Sequence, residues 1–394
     1  MKTNVLYVIL VVLFTSYHPF LLSQGEWNNW YFGNHAGLNF GAGMPAPLIN
    51  SQMWPTGRCP AIESDSTGAL LFYTNGNILL NRMHNATPNG NNLFGGLNGA
   101  QPVIAFKKIN ADSLYYLFTV GDNGWYNGGL CYSIIDMRLN GGLGDIPSGM
   151  KNIPVPGASE ANNALTATRH KNNKDVWVLT SIWNNGYKYL SYLVNSTGVS
   201  TTPIVSNSFL NFNQGNLSWG YLNYIKISPD GTKLICLGDT GVSSGKAEFC
   251  SFDCNSGAVT PLFKFHVIHK NDTLPVLRFE FSPNSKFLYI TADYNPDSIA
   301  LFQFDATKSQ YSQFMASKVY IGNVLHPEGY GILQSGPDGK IYEATINDTL
   351  LNLIKFPNLN GTACSFQTKA ISLKNRYSND ALYNTPQISD HGLS

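Results

Sequence analysis

Three stretches centred on a turn decide the fold: residues 227–234 (ISPDGTKL), 281–288 (FSPNSKFL) and 335–342 (SGPDGKIY). Their prolines, Pro229, Pro283 and Pro337, are 54 residues apart in both intervals. Proline presets φ and glycine accepts a positive φ, so the Pro-Asp-Gly core predicts a tight turn. Apolar, β-branched and aromatic residues flank each turn, which predicts a β-hairpin in each stretch.

Weaker copies of this hairpin lie earlier in the chain. Turns are predicted at 65–68, 110–112 and 172–174, and each leads into an apolar strand. A strand pair at 29–33 and 37–40 makes a seventh unit. Seven units over about 371 residues give about 53 residues per unit, close to the ~40–50 of a propeller blade. The sequence therefore predicts an all-β fold, a seven-bladed β-propeller of four-stranded antiparallel blades.

The two ends of the chain are predicted to close this ring. Units two to seven have an inner strand before the turn, whereas the first unit has almost no chain before Trp30. Residues 381–388 are the expected donor of the missing strand, paired with residues 30–33. Pairing of the amino- and carboxyl-terminal strands would remove an exposed sheet edge.

The composition excludes several classes of protein. Charged residues make up 12% of the 394 residues, about half of the usual ~25%, and the net charge is +1. Because there is no basic excess to neutralise phosphates, we expect no nucleic-acid partner. The 43% of hydrophobic residues can bury a large core, which excludes an intrinsically disordered chain.

The amino terminus indicates export. Residues 1–23 have the features of a secretory signal peptide: Lys2 supplies a positive charge, residues 5–14 are apolar, and Ser23 is a small residue at the cleavage point. The apolar run is shorter than the ~20 residues that a transmembrane helix needs. We therefore expect a secreted or envelope protein in which residues 24–394 form a single β-propeller domain without a transmembrane segment.

The six cysteines do not form a recognisable metal site or disulfide framework. Cys250 and Cys254 have the spacing C-x3-C, and no second pair or histidine cluster completes a zinc site. Cys236 and Cys250 lie on neighbouring predicted strands, where export would permit a disulfide. The alternative is that these cysteines are small buried hydrophobic residues.

The order of several motifs resembles one protein family. The motifs occupy residues 30–40 (WYFGNHAGLNF), 59–76, 81–90, 136–145 and 169–178, followed by the Ser-Pro-Asp-Gly turns. Together they resemble the amino-terminal propeller of gliding-motility-associated, type IX-secreted surface proteins of the Bacteroidota, over residues 26–390. Members of that family usually continue into immunoglobulin-like modules and a sorting domain. This sequence stops at Ser394, so we expect either a fragment of such a protein or a free-standing propeller.

Metal binding has little support in the sequence. His266 and His269 form the closest histidine pair, but residues three apart on a strand face opposite sides of the sheet. Residues 121–124 (GDNG) and 293–297 (DYNPD) place oxygen atoms in loops, as Ca²⁺ requires, although neither is an EF-hand loop. Asn and Asp also favour such turns for their own hydrogen bonds. We therefore predict no cofactor, with Ca²⁺ as the one ion that the loops would accept.

Catalysis has one set of weak candidates. Arg278 and Glu280 alternate along one inner strand, and His170 follows Arg169 at the end of another. Such groups resemble in kind the polar lining of propeller lactonases. The alternatives are an ion pair that serves the structure and a solvated channel lining. No nucleophile-elbow motif occurs in the chain.

Four tryptophans are the candidate binding residues. Trp54, Trp125, Trp183 and Trp219 lie in Gly- and Asn-rich contexts typical of loops, where exposed aromatic rings stack on sugars or anchor proteins. The alternative is that they pack between blades. The preferred hypothesis is an exported, non-enzymatic propeller that binds glycan or an envelope or surface protein. A lactonase-like hydrolase and a spacer of a longer surface protein are the alternatives.

Overall fold

A computed structural model of the chain shows seven small antiparallel sheets arranged in a ring. It describes residues 25–54, 59–96, 99–121, 128–162, 164–183, 186–210, 224–238, 245–295, 298–325, 331–379 and 381–387, with the backbone alone at 183, 295 and 325. Each sheet is one blade, so the prediction of a seven-bladed β-propeller is confirmed. A separate two-stranded ribbon follows the fifth blade.

The strands follow the chain from blade to blade. Blade 1 comprises β1 (Asn29–Phe32), β2 (Ala36–Asn39) and β3 (Ala46–Pro47). Blade 2 comprises β4 (Ala61–Ser64), β5 (Leu70–Thr74) and β6 (Leu79–Asn81). Blade 3 comprises β7 (Val103–Lys107), β8 (Leu114–Val120), β9 (Leu130–Asp136) and β10 (Ile153–Pro154). Blade 4 comprises β11 (Thr166–Arg169), β12 (Val176–Trp183), β13 (Tyr187–Asn195), β14 (Gly198–Val199) and β15 (Ile204–Asn207). Blade 5 comprises β16 (Tyr224–Ile227), β17 (Lys233–Gly238), β18 (Lys246–Asp253) and β19 (Ala258–Phe265). The ribbon comprises β20 (Val267–His269) and β21 (Asp272–Leu274). Blade 6 comprises β22 (Val276–Phe281), β23 (Phe287–Asn295), β24 (Ser298–Asp305) and β25 (Val319–Leu325). Blade 7 comprises β26 (Ile332–Ser335), β27 (Ile341–Ala344), β28 (Leu350–Ile354) and β29 (Phe366–Ser372).

Helical structure is sparse in the described residues. It consists of α1 (Tyr311–Ala316) and the 3₁₀ helices Gly25–Trp27, Asn140–Gly142 and Gly361–Cys364. Within the described part of the chain, no helix could span a lipid bilayer.

The first strand of each blade is the innermost one. Each blade steps outward from it by antiparallel pairing, and first strands of neighbouring blades contact each other between β1, β4 and β7 and between β11, β16, β22 and β26. Blades 3, 5, 6 and 7 have the predicted four strands. In blade 4 two short strands, β14 and β15, both pair with β13 and share the outer position. Blades 1 and 2 have three strands among the described residues.

The repeated turns have the predicted conformation and also join blades. In the turn of blade 5, Asp230 Oδ1 accepts hydrogen bonds from Ser228 Oγ (2.6 Å) and Thr232 N (3.1 Å), and Gly231 has a φ of +68°. Ser285 takes the glycine position in blade 6 with a φ of +58°. A positive φ is unfavourable for serine, but its Oγ accepts a hydrogen bond from Asp230 N at 3.0 Å. This bond ties the turns of two neighbouring blades together.

Aromatic rings fill the spaces between blades. Phe314 of α1 packs with centroid distances of 4.8 to 5.2 Å against four rings of blades 5 and 6, which are Phe249, Phe263, Phe265 and Phe304. Tyr342 of blade 7 lies 5.6 Å from Trp30 and 5.5 Å from Phe40 of blade 1. The first and last blades therefore share a core, which closes the ring.

The pairing of the chain ends differs from the prediction. The ends do meet, because Asn34 and Tyr377 form an antiparallel bridge in which Asn34 N donates to Tyr377 O at 2.8 Å. Gly33 has a φ of +55°, and a Cβ there would lie 2.3 Å from Tyr377 O, so this crossing requires glycine. The predicted donor was wrong, since residues 381–387 form no ladder with β1. Pro386 has no N–H and cannot continue a regular ladder.

Residues 381–387 instead run along the innermost strands of other blades. Asn384 N donates to Pro60 O at 3.0 Å, and Gln387 N donates to Ala167 O at 2.7 Å. These backbone bonds connect the segment to the entry of blade 2 and to β11 of blade 4. The carboxyl-terminal segment therefore fastens the ring from the axis rather than from a sheet edge.

The Asn384 side chain joins three further points of the ring. Its Nδ2 donates to Val103 O and Leu165 O, both at 3.1 Å, and its Oδ1 accepts from Gln101 Nε2 at 3.3 Å. The Gln101 amide also pairs with Ile225, donating to its O at 3.0 Å and accepting from its N at 2.8 Å. Innermost chain segments of blades 3, 4 and 5 thus meet at two buried amides, those of Asn384 and Gln101.

The cysteines are free thiols. Cys236 and Cys250 lie on the neighbouring strands β17 and β18, but Cys236 faces Glu248 and Cys250 faces Leu234. Such a diagonal offset of about 7–8 Å exceeds the ~4 Å between Cβ atoms that a disulfide needs. Burial raises the pKa of the Cys236 thiol to about 12. Cys236 and Cys250 are therefore small buried hydrophobic residues, not a disulfide pair.

Replacing Asn384 with alanine should destabilise the ring. The substitution removes bonds to buried carbonyl groups of blades 3 and 4, so we expect a loss of about 2–4 kcal/mol in the free energy of unfolding, measured in urea. Asn360→Ala is the matched control, because Asn360 is exposed and its side chain makes no capping bond. Equal effects of the two substitutions would contradict the fastening role of Asn384.

Candidate functional site

One position of the repeat places a side chain at the centre of the ring. The turns that follow the innermost strands of blades 2 to 7 each contain a residue with a positive φ: Gly68, Asn110, Asn173, Gly231, Ser285 and Gly339. We define the axial position as the residue five places before that turn residue. The axial positions, all buried, are Glu63, Ala105, Thr168, Lys226, Glu280 and Gln334.

Three axial side chains form one buried polar network. Lys226 Nζ donates to Glu280 Oε2 at 2.8 Å and to Gln334 Oε1 at 2.6 Å. Gln334 Nε2 donates in turn to Thr385 Oγ1 at 2.9 Å. Glu280 Oε1 accepts from Phe281 N at 3.0 Å. Blades 5, 6 and 7 and the carboxyl-terminal segment are therefore connected through charged and amide groups that satisfy one another.

The structure places two of the candidate catalytic residues inside this axis. Glu280 is 0% exposed, and its ion-pair partner is Lys226 rather than Arg278. Arg278 is 1% exposed, donates to Leu277 O at 2.6 Å and lies 5.1 Å from the Tyr224 ring centroid. Both are on β22 and alternate as predicted. Their burial and their contacts favour a role in stabilising the ring, and a catalytic role stays a prediction.

The third candidate catalytic residue lies elsewhere. His170 Nε2 is 3.0 Å from Asn255 O, and His170 Nδ1 accepts a hydrogen bond from Asn172 N at 3.0 Å. These contacts hold His170 at the turn after β11, against the turn between β18 and β19. Among the described contacts, none joins His170 to Arg278 or Glu280. The structure therefore does not assemble the three candidates into one site.

Of the four candidate tryptophans, Trp54 can be located. It is 62% exposed, and its ring stands edge-on to His35 with centroids 5.8 Å apart. Trp183 ends β12, but its side chain is not described, and Trp125 and Trp219 lie outside the described residues. The alternative of packing between blades does not hold for Trp54.

Trp54 belongs to a row of exposed side chains between blades 1 and 2. Asn50, Gln52 and Trp54 are exposed, whereas Ser51 and Met53 between them are 1% and 2% exposed. This alternation is typical of extended chain, in which every second side chain faces the same way. We call Asn50, Gln52 and Trp54 the outer row.

Hydrogen bonds fix the backbone of the outer row. Gln52 N donates to Tyr73 Oη at 3.1 Å, and His35 N donates to Met53 O at 3.0 Å. Asn50 Nδ2 is 2.7 Å from His84 Nε2. The row therefore presents two amides and an indole on a backbone held by blades 1 and 2.

A cavity of about 320 Å³ lies where β4, β7 and β11 end. Its apolar walls include Trp27, Phe106 and Tyr115, and its charged walls are Glu26, Glu63, Lys107, Arg169 and Lys174. Asn29 Nδ2 donates to Ser64 Oγ (3.0 Å) and Gly68 O (2.8 Å). These bonds hold the start of β1, and with it the preceding 3₁₀ helix Gly25–Trp27, close to the end of β4.

Glu63 is the axial residue at this cavity. It is 8% exposed, and within the described residues its carboxyl group has no hydrogen-bonding or ion-pair partner. The register of β4 with β5 shifts between Glu63 and Ser64, an irregularity of the kind that redirects side chains. Burial raises the pKa of the Glu63 carboxyl well above its ordinary value, and the nearby Glu26 carboxylate raises it further.

The negative field at this end of the cavity extends to its aromatic wall. The pKa of Tyr115 is raised by burial and then by the charges of Glu63, Glu26 and Asp65. The pKa of Tyr383 is likewise raised by burial, Glu63 and Glu26. Trp27 packs against Tyr383 with ring centroids 5.8 Å apart. Two carboxyl groups and several aromatic rings thus share one partly enclosed space.

Sequence reasoning missed this cavity. Of the glutamates, the sequence indicates Glu280 as a candidate site residue, but not Glu26 or Glu63. The repeat register contained the signal, since Glu63 stands at the same distance from its turn as Lys226, Glu280 and Gln334 do from theirs. Glu26 lies before the first strand, outside the repeat, and only the fold brings it to Glu63.

Metal-binding groups are not found in the described part of the chain. No cluster of three His, Cys, Asp or Glu residues there could hold an ion. Residues 122–124 and 296–297 of the two candidate calcium loops lie outside the described residues. Ca²⁺ at these loops therefore stays a prediction.

Comparison with known proteins supports the fold alone. No protein-family model and no curated protein matches the chain. Among solved structures, a protein assigned as a 6-phosphogluconolactonase from Bacteroides uniformis is 12% identical, with a TM-score of 0.50, over 90% of this chain and 99% of that one. A periplasmic gluconolactonase from Pseudomonas aeruginosa is 12% identical, with a TM-score of 0.49, over 90% and 98%. At such identity the first likeness supports a shared propeller fold and carries no activity to this chain.

Removing one partner of the axial ion pair should be costly. Lys226→Met leaves the Glu280 carboxylate buried without its partner, so we expect a loss of about 3–5 kcal/mol in the free energy of unfolding, measured in urea. The double variant Lys226→Met, Glu280→Met should recover most of it, because both charges are gone. Lys233→Met, which breaks a partly exposed pair with Asp230, should cost less than about 1 kcal/mol. A single variant as stable as the control would contradict the axial role.

Glu63 should make stability fall as pH rises. Its pKa is raised in the folded state, so protonation favours folding. The contribution is complete below the unfolded pKa of about 4.3 and is lost as pH rises through the folded pKa. In urea unfolding across this range, the wild type should lose stability relative to Glu63→Gln from about pH 4.5 upward. The pH dependence of the free energy of unfolding should be the same for Glu160→Gln, at an exposed residue, as for the wild type. If Glu63→Gln also shows the pH dependence of the wild type, the raised pKa of Glu63 is refuted.

Proposed function

We propose that this protein is an exported, non-enzymatic β-propeller that binds glycan or protein at the cell envelope, and that the outer row is its binding surface. The observation that carries the proposal is Trp54, an indole that is 62% exposed beside two exposed amides, Asn50 and Gln52. An indole offers a large flat apolar face, and burying such a face on a partner is favourable.

A glycan fits the outer row better than a protein does. Sugar hydroxyls both donate and accept hydrogen bonds, and an amide side chain offers both functions in one plane. Gln52 and Asn50 stand on the same side of the chain as Trp54. A ring stacked on the indole could therefore reach the Gln52 amide, whereas the Asn50 amide already bonds to His84 and Tyr31. Protein partners more often use a larger cluster of aromatic and apolar anchors.

The proposed location rests on the sequence. Residues 1–23, which we propose are a signal peptide, lie outside the described residues. We likewise propose that residues 24–394 form a single domain. The motif order supports a relation to gliding-motility-associated, type IX-secreted proteins of the Bacteroidota. A role as a spacer in a longer surface protein is compatible with that relation.

The second candidate is a lactonase-like hydrolase that uses Arg278, Glu280 and His170. Its support is the likeness of fold to the Bacteroides uniformis protein. Against it, the Glu280 carboxylate already pairs with Lys226, and His170 makes its contacts with turns instead. The binding proposal therefore accounts for more of the geometry.

The test is a glycan array probed with labelled protein. We expect Trp54→Ala to weaken the bound signal by about tenfold or more, because it removes the stacking face. Phe356→Ala, which truncates another exposed aromatic residue, should leave the signal unchanged. Glu280→Gln should also retain binding if the protein folds normally by circular dichroism.

Three outcomes would contradict this proposal. They are glycan binding that survives Trp54→Ala, an array without any bound glycan, which would exclude the preferred glycan partner, and lactone hydrolysis that Glu280→Gln abolishes. The last outcome would favour the hydrolase.

A further inference from the structure

We propose that the cavity beside Glu63 binds the primary ammonium group of a small dipolar ligand, an amino acid or the amino terminus of a short peptide. The cavity lies at the end of β4, whereas the outer row lies before the start of β4. This inference is therefore independent of the proposed function. It rests on an acidic residue without a partner, an aromatic wall and a basic wall.

The first observation is the exceptional state of Glu63 among the axial residues. Lys226, Glu280 and Gln334 satisfy one another, and Thr168 Oγ1 donates to Gln387 O at 3.2 Å. Glu63 is more than nine-tenths buried and has no such partner among the described residues. Buried polar groups in proteins are generally hydrogen-bonded, so a carboxyl left open toward a cavity indicates a ligand.

The second observation is the sign of the local field. Glu26 lines the same cavity, and Asp65, Tyr115 and Tyr383 are further titratable groups whose charges interact at this end. The shift of the Glu63 pKa has no contribution from a basic residue. Two neighbouring carboxyl groups repel each other when both are ionised, and a bound cation removes that repulsion.

The third observation is the aromatic wall. Trp27 and Tyr115 are 7% and 6% exposed, and both line the cavity beside the carboxyl groups. Aromatic faces attract ammonium groups, and the attraction is strongest for tryptophan. A neutral sugar would gain stacking here but would bring no positive charge to pair with the carboxyl groups of Glu26 and Glu63.

The opposite wall selects the second group of the ligand. Lys107, Arg169 and Lys174 come from β7, the end of β11 and the turn that follows it. Lys107 and Lys174 are exposed at the rim, where they can meet a carboxylate. The 320 Å³ volume suits a ligand of amino-acid or dipeptide size. An ammonium and a carboxylate in one small molecule match both walls.

A calcium ion fits these walls less well. Ca²⁺ takes six to eight oxygen ligands, and the cavity offers two carboxyl groups and Ser64, whose Oγ already accepts from Asn29. Basic side chains on the facing wall would also repel the ion. We therefore assign the site to an organic cation with a carboxylate.

The experiment is calorimetric titration of the purified protein with alanyl-alanine and with glycine. Binding should ionise Glu63 and release a proton, so the measured heat should depend on the ionisation enthalpy of the buffer, and affinity should rise with pH. Glu63→Gln should weaken binding by about 10- to 100-fold and abolish the proton release. The exposed Glu160→Gln should change neither result.

Further ligands distinguish the contribution of the acidic, aromatic wall from that of the basic wall. N-acetylglycine, which has no ammonium group, should not bind. Methylamine, which has no carboxylate, should bind more weakly than glycine. Lys174→Gln should weaken alanyl-alanine binding but not methylamine binding, and because Lys174 is an exposed turn residue this variant should fold normally. Trp54→Ala should leave every titration unchanged. A negative result for glycan binding at the outer row would therefore not affect the test of this cavity.

Four outcomes would overturn the inference. They are the absence of binding by glycine and alanyl-alanine, equal binding of N-acetylglycine and glycine, unchanged affinity in Glu63→Gln, and Ca²⁺ binding that Glu63→Gln abolishes. The last would assign the cavity to a metal ion.

Discussion

Each blade has two apolar faces, and only a closed ring covers both. Phe314 shows how neighbouring blades share a core, because its ring packs against aromatic residues of blades 5 and 6. The same requirement brings Tyr342 of blade 7 against Trp30 of blade 1. Burying both faces leaves few solvated positions for charged side chains, which accounts for a charged fraction of only 12%.

The axis of the ring imposes the opposite requirement. Inner strands bring backbone carbonyls and polar side chains into a space with little water, so every polar group there needs a partner. Lys226, Glu280 and Gln334 supply partners to one another, and Asn384 supplies them to the carbonyls of two blades. Burial in this network explains why residues resembling a hydrolytic site in the sequence have contacts typical of a structural core.

The two proposed binding sites lie where these two requirements stop. The outer row precedes β4 and presents exposed amides and an indole, and the Glu63 cavity follows the same strand. The two proposed sites therefore flank one short inner strand in the sequence, and each holds a side chain that packing does not use. In the first case the groups are exposed, and in the second a buried carboxyl faces a cavity.

The sequence alone determined the number of blades, because the 54-residue interval between prolines reflects a local turn that each blade repeats. It also predicted the hairpins and the strand on which Arg278 and Glu280 alternate, since period-2 patterns are local. The partner of Glu280, the path of residues 381–387 and the meeting of Glu26 with Glu63 required the tertiary structure. Those contacts join different blades, and no local pattern specifies which residues of other blades meet at the axis.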